Sequence, residues 1–350
     1  MERILFIHAT NVHQGGGRSL LEAIFNALPS GMKLILSLDS RMPLPEGITQ
    51  EVQVKRVEPS IVHRFLAERW LADNVASGAV VLCFGNLPPL FKLRGYTVVF
   101  VQNRYLIENI SLNGFPLRVR LRLAIERIWL SRRLTNVDEF VVQTPTMKRL
   151  MEIKTRGRVP VSVLPFVADP RGYTRSLSQK KEQKDIDYDF VYVASGEPHK
   201  NHRRLIDAWC LLAEEGLFPS LCLTLDEIRF PELCRLIDEM RYQYGVKVTN
   251  AGGLPHHDVL ELYKKSMAAI YPSTFESFGL PLIEARQAGL PVLASELDYV
   301  RDVLDPEQTF DPESAVSIAR AVKRFLGLQE EPLPLQDAAR FIEHLLEGEK

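Results

Sequence analysis

Short apolar runs rich in β-branched residues alternate along the chain with segments in which apolar residues recur every three or four positions. The short runs predict strands, and the longer spacing predicts helices. Strands that alternate with helices form βαβ units around a parallel sheet, so the pattern predicts an α/β protein. The predicted strands are 4–8, 33–38, 52–57, 80–84, 98–102, 139–143 and 162–164 in the first half, and 190–194, 221–225, 247–250, 268–271 and 291–294 in the second.

This strand pattern runs through the chain twice, which predicts two Rossmann-like, doubly wound domains. The 350 residues, 46% of them hydrophobic, are enough for two cores of typical size. We place the domains at 1–169 and 188–330, joined by a polar linker at 170–187 that offers little to bury. A final helix is expected over 331–350, packing back on the first domain. Two such domains facing each other bring the carboxyl ends of their strands, and so their ligand-binding loops, to the walls of one cleft.

The net charge of −1 conceals two halves of opposite sign. Residues 1–169 carry 22 Lys and Arg against 14 Asp and Glu, whereas 170–350 carry 21 against 30. Six arginines lie in 115–135 alone, interleaved with leucines, isoleucines and Trp129. Such a segment predicts either a helix on an anionic membrane surface or a core helix with arginines on its solvated side. Nucleic acid is not expected as a partner, because no recognition fold is present and the second half is acidic.

The four cysteines show no CxxC spacing and three lie among apolar residues, which is typical of a reduced, cytoplasmic protein. The apolar run at the amino terminus is too short for a signal peptide, and no run of about 18 uncharged apolar residues predicts a spanning helix. The histidines lack the spacing of metal ligands. We therefore expect a cytoplasmic protein without a metal, peripheral on the inner face of the membrane if 115–135 binds lipid.

Three consecutive glycines, Gly15, Gly16 and Gly17, follow the first predicted strand and precede a helical spacing of apolar residues. Glycine lets the backbone approach a ligand closely, and the N–H groups at a helix start attract anions. A phosphate or acceptor loop and a plain tight turn are both consistent with this pattern. His13, just before the glycines, is a candidate acceptor contact, with an ordinary polar loop residue as the alternative.

Lys200 and Asn201 follow the first predicted strand of the second domain and immediately precede a helix. A diphosphate at that strand-to-helix turn would meet both the lysine ammonium and the amino terminus of the helix. The alternative is a solvated lysine, which is common at this position in a protein.

Two glutamates eight positions apart, Glu276 and Glu284, flank a loop-to-helix transition in the second domain. Glu284, an acceptor-only carboxylate, suits the paired hydroxyls of a ribose. Glu276 suits the hydroxyls of a sugar and can support positive charge at its anomeric carbon. Helix capping is the alternative explanation. Backbone N–H groups that would converge on a diphosphate at this helix start are those of Ser277, Phe278, Gly279 and Leu280.

The second half resembles family 4 of the nucleotide-sugar-dependent glycosyltransferases with the GT-B fold. The family carries PS-x-x-E-[SG]-F-G-L-P-x-x-E-A followed by G-x-P-V-x-A-S. The likeness covers 188–327 well and is thinner in the first half. It implies that Lys200 binds the donor diphosphate and that Gly253 and Leu254, after a strand, lie in the loop that contacts the base. The matching residues are Pro272, Ser273, Glu276, Ser277, Phe278, Gly279, Leu280, Pro281, Glu284, Ala285, Gly289, Pro291, Val292, Ala294 and Ser295.

Two departures from the family pattern change the expected chemistry. Ser195 stands where the family often has a second cation for the diphosphate, so we assign Ser195 and Asn201 to the donor site beside Lys200. Gln102 and Asn103 stand where the family often has His-Asp near the transferred sugar. An amide binds a sugar hydroxyl but cannot act as a base at pH 7. The resemblance implies retention, with the leaving diphosphate taking the acceptor's proton, so neither a protein base nor a divalent metal is required.

The sequence thus predicts a retaining, metal-independent glycosyltransferase. It would move a hexose-type sugar from a nucleoside-diphosphate sugar to a glycan or lipid-linked acceptor, with Glu276 and Lys200 as the catalytic candidates. A role in surface polysaccharide or lipopolysaccharide synthesis is expected by analogy. Two alternatives stay open at this point: an epimerase of sugar nucleotides with the same cleft, and an inactive partner subunit that keeps the fold.

Overall fold

Every strand pairing among the described residues of the computed structural model is parallel, as the alternation of strands and helices predicts. The structure describes residues 4–28, 32–44, 52–108, 110, 112, 115–167 and 186–328. Most of the predicted linker at 170–187, and the whole helix predicted over 331–350, lie outside these ranges.

The first sheet is built from strands of the first half of the chain. They are β1 (Ile4–Ala9), β2 (Lys33–Asp39), β3 (Val52–Val57), β4 (Val80–Cys83), β5 (Tyr96–Phe100), β6 (Glu139–Val142) and β7 (Val161–Val163). Their order in the sheet is β3-β2-β1-β4-β5-β6-β7, so the direction of winding reverses between β1 and β4. Ligands of doubly wound sheets bind at such a reversal, outside the carboxyl ends of the strands.

The second sheet repeats this scheme. Its strands are β8 (Tyr188–Tyr192), β9 (Leu221–Leu223), β10 (Val248–Asn250), β11 (Ser266–Tyr271), β12 (Val292–Ser295) and β13 (Gln308–Phe310). The order β10-β9-β8-β11-β12-β13 reverses between β8 and β11. The prediction of two Rossmann-like, doubly wound domains is therefore confirmed. The strand β13 was not predicted, because three residues at the edge of a sheet carry no readable alternation.

The helices lie between successive strands. In the first half they are α1 (Gly15–Ala27), α2 (Ile61–Asn74), α3 (Leu117–Arg132) and α4 (Pro145–Thr155). In the second half they are α5 (His202–Glu214), α6 (Pro231–Tyr244), α7 (His256–Lys264), α8 (Leu280–Gln287), α9 (Asp298–Arg301) and α10 (Ala315–Phe325). No helix within the described ranges has the length and apolar character needed to traverse a bilayer.

The first sheet separates two apolar cores, because successive side chains of a strand point to opposite faces. Phe6 and Ile7 of β1 are both almost fully buried, yet they belong to different cores. In the second domain a single large core surrounds the sheet, and Trp209 of α5 is buried there with its indole N–H donated to the carbonyl of Pro219 at 2.9 Å. Both sheets are thus covered on their two faces, which leaves the strand ends as the place for ligands.

The two domains touch through a small set of polar and aromatic contacts. The rings of Tyr105 and Phe275 lie 4.4 Å apart between centroids. The Arg104 guanidinium lies 3.6 Å from a carboxylate oxygen of Asp298. At the start of α4 the backbone N–H of Thr146 donates to the carboxylate of Asp302 at 3.1 Å. These contacts hold the carboxyl edges of both sheets against one shared cleft.

Candidate active site

A cavity of about 870 Å³ lies between the domains and is lined by residues of both. From the first domain come the loops after β1, β4, β5 and β6, together with the start of α1. From the second come the turn after β8, the loop before α7 and the loop that leads into α8. The position is the strand-order reversal of both sheets, where the ligand of a doubly wound domain is expected.

Lys200 and Glu276 form a direct ion pair on the second-domain wall. Lys200 ends a short turn after β8, and its Nζ lies 2.5 Å from Oε1 of Glu276. The same oxygen accepts hydrogen bonds from the hydroxyls of Tyr271 at 3.0 Å and Ser273 at 2.8 Å. Both charged side chains are largely buried, with 14% and 13% of their surfaces exposed. A charge pair at this depth interacts strongly because water screens it poorly.

Two helix amino termini face each other across the cavity. The helix α8 follows Gly279, and α1 follows Gln14; neither of these residues caps its helix with a side-chain hydrogen bond. A Cβ placed on Gly16 would lie 3.5 Å from the Leu280 side chain, so the first turns of the two helices are in contact range. Each helix start presents N–H groups and the positive end of its dipole. Together they form a site for an anion such as a diphosphate.

The glycine at position 279 is required by the local geometry. Its φ is 73°, in the left-handed region that side chains disfavour, and a Cβ there would lie 2.9 Å from the Leu282 side chain. All four residues predicted to supply N–H donors line the cavity. They are Ser277, Phe278, Gly279 and Leu280, and none of their N–H groups donates to another residue that the structure describes.

Glu284 lies one turn into α8 and lines the cavity with Leu254 and His256. Burial raises the pKa of the Glu284 carboxyl to about 7. The imidazole of His256 lies beside it, with Nδ1 3.7 Å from Oε1 of Glu284. The carboxyl therefore changes charge close to neutral pH. Ribose hydroxyls that donate to it would favour the ionised form.

The glycines of the first domain lie in the first turn of α1, not in a separate loop before it as predicted. Gly15 has a φ of 64°, and Gly15, Gly16 and Gly17 all line the cavity. The sequence could not reveal this boundary, since glycine is a poor helix former and favours a turn. Here the absence of side chains in the first turn keeps the helix amino terminus accessible.

Gln102 and Asn103 line the cavity as well, and Asn86 holds them in place. Asn86 has a φ of 68°, and its Oδ1 accepts the backbone N–H groups of Gln102 at 2.6 Å and Asn103 at 2.9 Å. Asn103 in turn accepts the N–H of Tyr105 at 3.0 Å. Sequence reasoning missed Asn86, because an asparagine in a loop gives no sign of a left-handed backbone, although Asn tolerates that conformation better than most residues.

Four residues predicted for the site do not line the cavity. The Ser195 hydroxyl donates to the carboxylate of Glu197. Asn201, with a φ of 61°, donates its side-chain amide to the carbonyls of Pro272 at 3.0 Å and Pro312 at 2.8 Å and so braces the turn beneath Lys200. Gly253 is exposed beside Leu254. The remaining one is His13, whose Nδ1 lies 3.9 Å from the buried carboxylate of Asp39.

The first domain also contributes a cation that was not predicted. Arg104 lines the cavity; its guanidinium lies 4.7 Å from the ring centre of Phe275, and its Nε donates to Glu108 at 2.5 Å. The guanidinium also lies 3.4 Å from the carbonyl of Glu276. Nothing in the sequence around Arg104 signals this role, since its partners lie about 170 residues later in the chain. Within the described part of the chain, no three His, Cys, Asp or Glu side chains are grouped so as to hold a metal ion.

The helix α3, within the arginine-rich segment 115–135, is buried on one side only. Leu123 and Leu130 pack into a core of the first domain. The opposite side exposes apolar residues at helical spacing as well as arginines, so neither of the two predicted alternatives describes it fully. The exposed apolar residues are Leu117, Leu121, Ile125 and Ile128.

Residues 174–341 match the model of the family described as glycosyl transferases group 1. The matched range, just under half of the chain, is therefore similar to the glycosyl transferases group 1. The matched range contains the Lys200–Glu276 pair, the start of α8 and Glu284. It does not include the first-domain wall of the cavity.

Curated relatives of this group 1 domain include mannosyltransferases of O-antigen chains. The chain is 31% identical to the serotype-specific mannosyltransferase WbdA of Escherichia coli over 143 residues. These residues are 41% of this chain and 18% of WbdA. It is 28% identical over 139 residues to the O-antigen chain mannosyltransferase B of Escherichia coli, covering 39% of this chain and 36% of that protein. The chain thus matches well under half of the length of either relative.

Solved structures share the whole two-domain arrangement. HepE of Anabaena in complex with UDP superposes with a TM-score of 0.65 at 17% identity, over 93% of this chain and 90% of HepE. Together with the two doubly wound sheets, this likeness shows that the group 1 domain belongs to a GT-B fold, as predicted.

Proposed function

We propose that this protein is a retaining, metal-independent glycosyltransferase of family 4, which transfers a hexose-type sugar from a nucleoside-diphosphate sugar. The observation that carries the proposal is the anion site between the starts of α1 and α8, with Lys200 and Glu276 beside it in one cavity. The group 1 family match supports the activity, and HepE, which binds UDP, supports a nucleotide ligand in the cleft.

The donor fits along the second-domain wall. Its diphosphate accepts hydrogen bonds from the N–H groups at the start of α8, and Lys200 moves from Glu276 to the phosphates. Glu276, released from that ion pair, accepts hydroxyls of the sugar. The ribose hydroxyls donate to Glu284, and the base lies near Leu254, at the rim of the cavity.

The transfer needs no protein base. The oxygen of an acceptor hydroxyl attacks the anomeric carbon on the face from which the diphosphate leaves. The bond from this carbon to the phosphate oxygen breaks with its electron pair going to that oxygen, which also takes the proton of the attacking hydroxyl. The chain supplies charge stabilisation and positioning: Lys200 and the helix N–H groups for the leaving diphosphate, and Glu276 for positive charge at the anomeric carbon.

We further propose that the reaction serves surface polysaccharide or lipopolysaccharide synthesis, with a glycan or lipid-linked acceptor. The relative named O-antigen chain mannosyltransferase B supports this role. We place the protein in the cytoplasm, since its four cysteines are thiols, which suits a reducing compartment. An acceptor of this kind is carried at the inner face of the membrane.

Contact with that membrane is proposed through α3. Its four exposed apolar residues recur every three or four positions, so they share one face of the helix. Ile128, at the end of this row, also lines a pocket of about 370 Å³ with Arg127, Arg132 and Lys154. Burial and the charge of Arg127 lower the pKa of Lys154, as expected for cations held close together. An apolar row bordered by cations suits the surface of an anionic bilayer.

The two alternatives are less well supported. An epimerase would convert a sugar nucleotide without an acceptor, and an inactive subunit would not turn over a donor at all. The relatives among the mannosyltransferases favour neither. Incubating the protein with a donor alone, and identifying the sugar nucleotide afterwards, separates an epimerase from a transferase.

The direct test is release of nucleoside diphosphate from a panel of UDP- and GDP-sugars in the presence of glycan acceptors. Lys200→Ala and Glu284→Ala should lower turnover at least about 100-fold, because they remove charged contacts to the donor. Lys247→Ala and Glu232→Ala, at exposed positions outside the cavity, are the matched controls. Turnover that is unchanged in the two site variants would overturn the assignment. The anomeric configuration of the product by NMR tests retention, and full activity in EDTA tests independence of metal.

A further inference from the structure

The first-domain wall of the cavity is lined by carboxamide side chains at the carboxyl ends of four neighbouring strands. One follows β1, one follows β4, two follow β5 and one follows β6; another precedes α1. These strands are adjacent in the order β1-β4-β5-β6, so the topology itself brings their loops together. The six carboxamide residues are Asn11, Gln14, Asn86, Gln102, Asn103 and Gln143.

Gln143 carries an unsatisfied polar group within this wall. The residue is only 5% exposed, and its Nε2 is buried with no hydrogen-bond partner in the described structure. A buried donor left without an acceptor costs about 1–3 kcal/mol. Because Gln143 also lines the cavity, a rotation of its side chain would bring Nε2 to a ligand oxygen there and offset that cost.

Asn86 and Asn103 also line the cavity and carry amino groups without a described partner. The side-chain oxygen of each accepts backbone N–H groups of the β5 loop, at distances between 2.6 and 3.0 Å. Their Nδ2 groups donate to no residue that the structure describes. The side-chain amide of Gln102 likewise donates to no residue that the structure describes. It carries both a hydrogen-bond donor and an acceptor.

The cations on this wall are already neutralised by neighbouring carboxylates. The Nε of Arg18 donates to Glu22 at 2.8 Å, and that of Arg104 donates to Glu108 at 2.5 Å. Away from the start of α1, which we assign to the donor diphosphate, an anionic group bound here would therefore meet mainly neutral amides. Amides match hydroxyls, because both groups donate and accept hydrogen bonds. A phosphate or carboxylate only accepts, and the free energy that it loses on dehydration is larger than the free energy gained from hydrogen bonds to neutral amides.

From these contacts we infer that the first-domain wall binds an uncharged sugar residue. The acceptor that receives the transferred hexose is then the neutral end of a glycan, and not a sugar phosphate or a uronic acid. Gln143 contributes a hydrogen bond to one of its hydroxyls, and Gln102 contacts it from the adjacent strand. This inference rests on the proposed function, and it adds the class of the acceptor.

Acceptor kinetics test the inference with one donor held constant. The panel contains methyl glycosides of neutral hexoses, hexose 6-phosphates and methyl glycosides of uronic acids. We expect kcat/KM for the best neutral acceptor to be at least about tenfold higher than kcat/KM for the best acceptor of either anionic class. A difference of this size corresponds to at least one well-placed hydrogen bond. Preferred turnover of a phosphorylated or carboxylated sugar would overturn the inference.

Variants then test the role of Gln143. Gln143→Met keeps the size of the side chain and removes its hydrogen-bonding groups, so it should raise the acceptor KM about tenfold and leave the donor KM unchanged. Gln53→Leu, at an exposed position on β3, is the control. Gln102→Leu is the second variant, and it should act in the same direction. An unchanged acceptor KM in both cavity variants would contradict the assignment.

Failure of the inference can be told apart from failure of the proposed function. Donor binding by calorimetry, and slow hydrolysis of the donor without acceptor, depend on the second-domain wall and the start of α1, and not on Gln102 or Gln143. If no nucleotide sugar binds, the proposed function fails, and saturation-transfer NMR with the methyl hexosides still tests the wall. Equal saturation transfer in the wild type and in Gln143→Met would then overturn the sugar site.

Discussion

The Nζ of Lys200 lies 2.5 Å from Oε1 of Glu276, so the cation proposed for the diphosphate and the carboxylate proposed for the sugar hold each other. Both are mostly buried, and removing one partner would leave the other as a desolvated, unpaired charge. The pair therefore has a structural role besides its role with the donor.

Lys200→Met and Glu276→Gln should each lower the free energy of unfolding, by about 1–3 kcal/mol for an unpaired buried group. The double variant Lys200→Met/Glu276→Gln should recover most of this stability without recovering activity. Chemical denaturation together with donor turnover measures both effects. The exposed pair Lys148 and Glu152, at 3.7 Å, is the control, and its variants should change stability by less than about 0.5 kcal/mol. This prediction would be contradicted if the double variant lost as much free energy of unfolding as the two single variants lose together.

The pKa of Glu284 predicts a pH dependence of stability near neutrality. Burial raises it from 4.5 to about 7, so the folded protein holds this proton more tightly than the unfolded chain does. The resulting stability is complete below the ordinary carboxyl range and is lost as the pH rises through about 7. Glu284→Gln is neutral at every pH. At pH 5 its stability should therefore be no higher than that of the wild type, and between pH 5 and pH 8 its stability should rise relative to the wild type. If Glu284 did not titrate in this range, the difference in melting temperature between the variant and the wild type would stay constant from pH 5 to pH 8.

Donor binding should depend on the same group in the opposite sense. The ribose hydroxyls donate to an ionised carboxylate, so nucleotide affinity should fall as the pH drops below about 7, by up to tenfold per pH unit. Calorimetry in buffers of different ionisation enthalpy should detect release of a proton on binding. A flat affinity between pH 6 and pH 8 would separate Glu284 from the ribose.

Gly279→Ala should be more damaging than a glycine substitution that only strains the backbone. Gly157 has a φ of 67° with open space around it, so Gly157→Ala costs about 1–2 kcal/mol from its left-handed conformation alone. At Gly279 the added methyl would also lie 2.9 Å from the Leu282 side chain and disturb the start of α8. We expect a larger loss of melting temperature and a loss of nucleotide binding for Gly279→Ala, with binding intact for Gly157→Ala. Equal effects of the two substitutions would show that the contact with Leu282 is easily relieved.

Contact of α3 with a bilayer predicts co-sedimentation with anionic vesicles. Leu121→Gln/Ile125→Gln should weaken it at least about tenfold, because two apolar side chains no longer enter the interface. Ile228→Gln, at a 93% exposed residue of the second domain, is the control. High salt should also weaken binding, as should vesicles of a zwitterionic lipid alone. Wild-type binding in the double variant would remove α3 from the membrane contact.

The fold and the segment from Glu276 to Glu284 could be predicted from sequence because both depend on local patterns, whereas Ser195, Asn201 and Gly253 were predicted for the site and do not line the cavity. Each predicted strand exists, and the spacing from Glu276 to Glu284 places both side chains in the cavity. The cleft residues of the first domain were harder to predict. The orientation of Asn86, the contacts of Arg104 and the buried amide of Gln143 are decided by partners on other strands or in the other domain. Such contacts leave no periodicity for a sequence pattern to show.

The contact of Tyr105 and Arg104 with Phe275 has a consequence for recombining this protein with its relatives. The side chains that we propose for the donor lie mainly in the second half of the chain and those that we propose for the acceptor in the first, and this aromatic joint connects the two halves. A chimaera that exchanges the first domain inherits a new acceptor preference only if the joint still fits. The residues that contact Phe275 therefore limit which first domains can be combined with this second domain in an active chimaera.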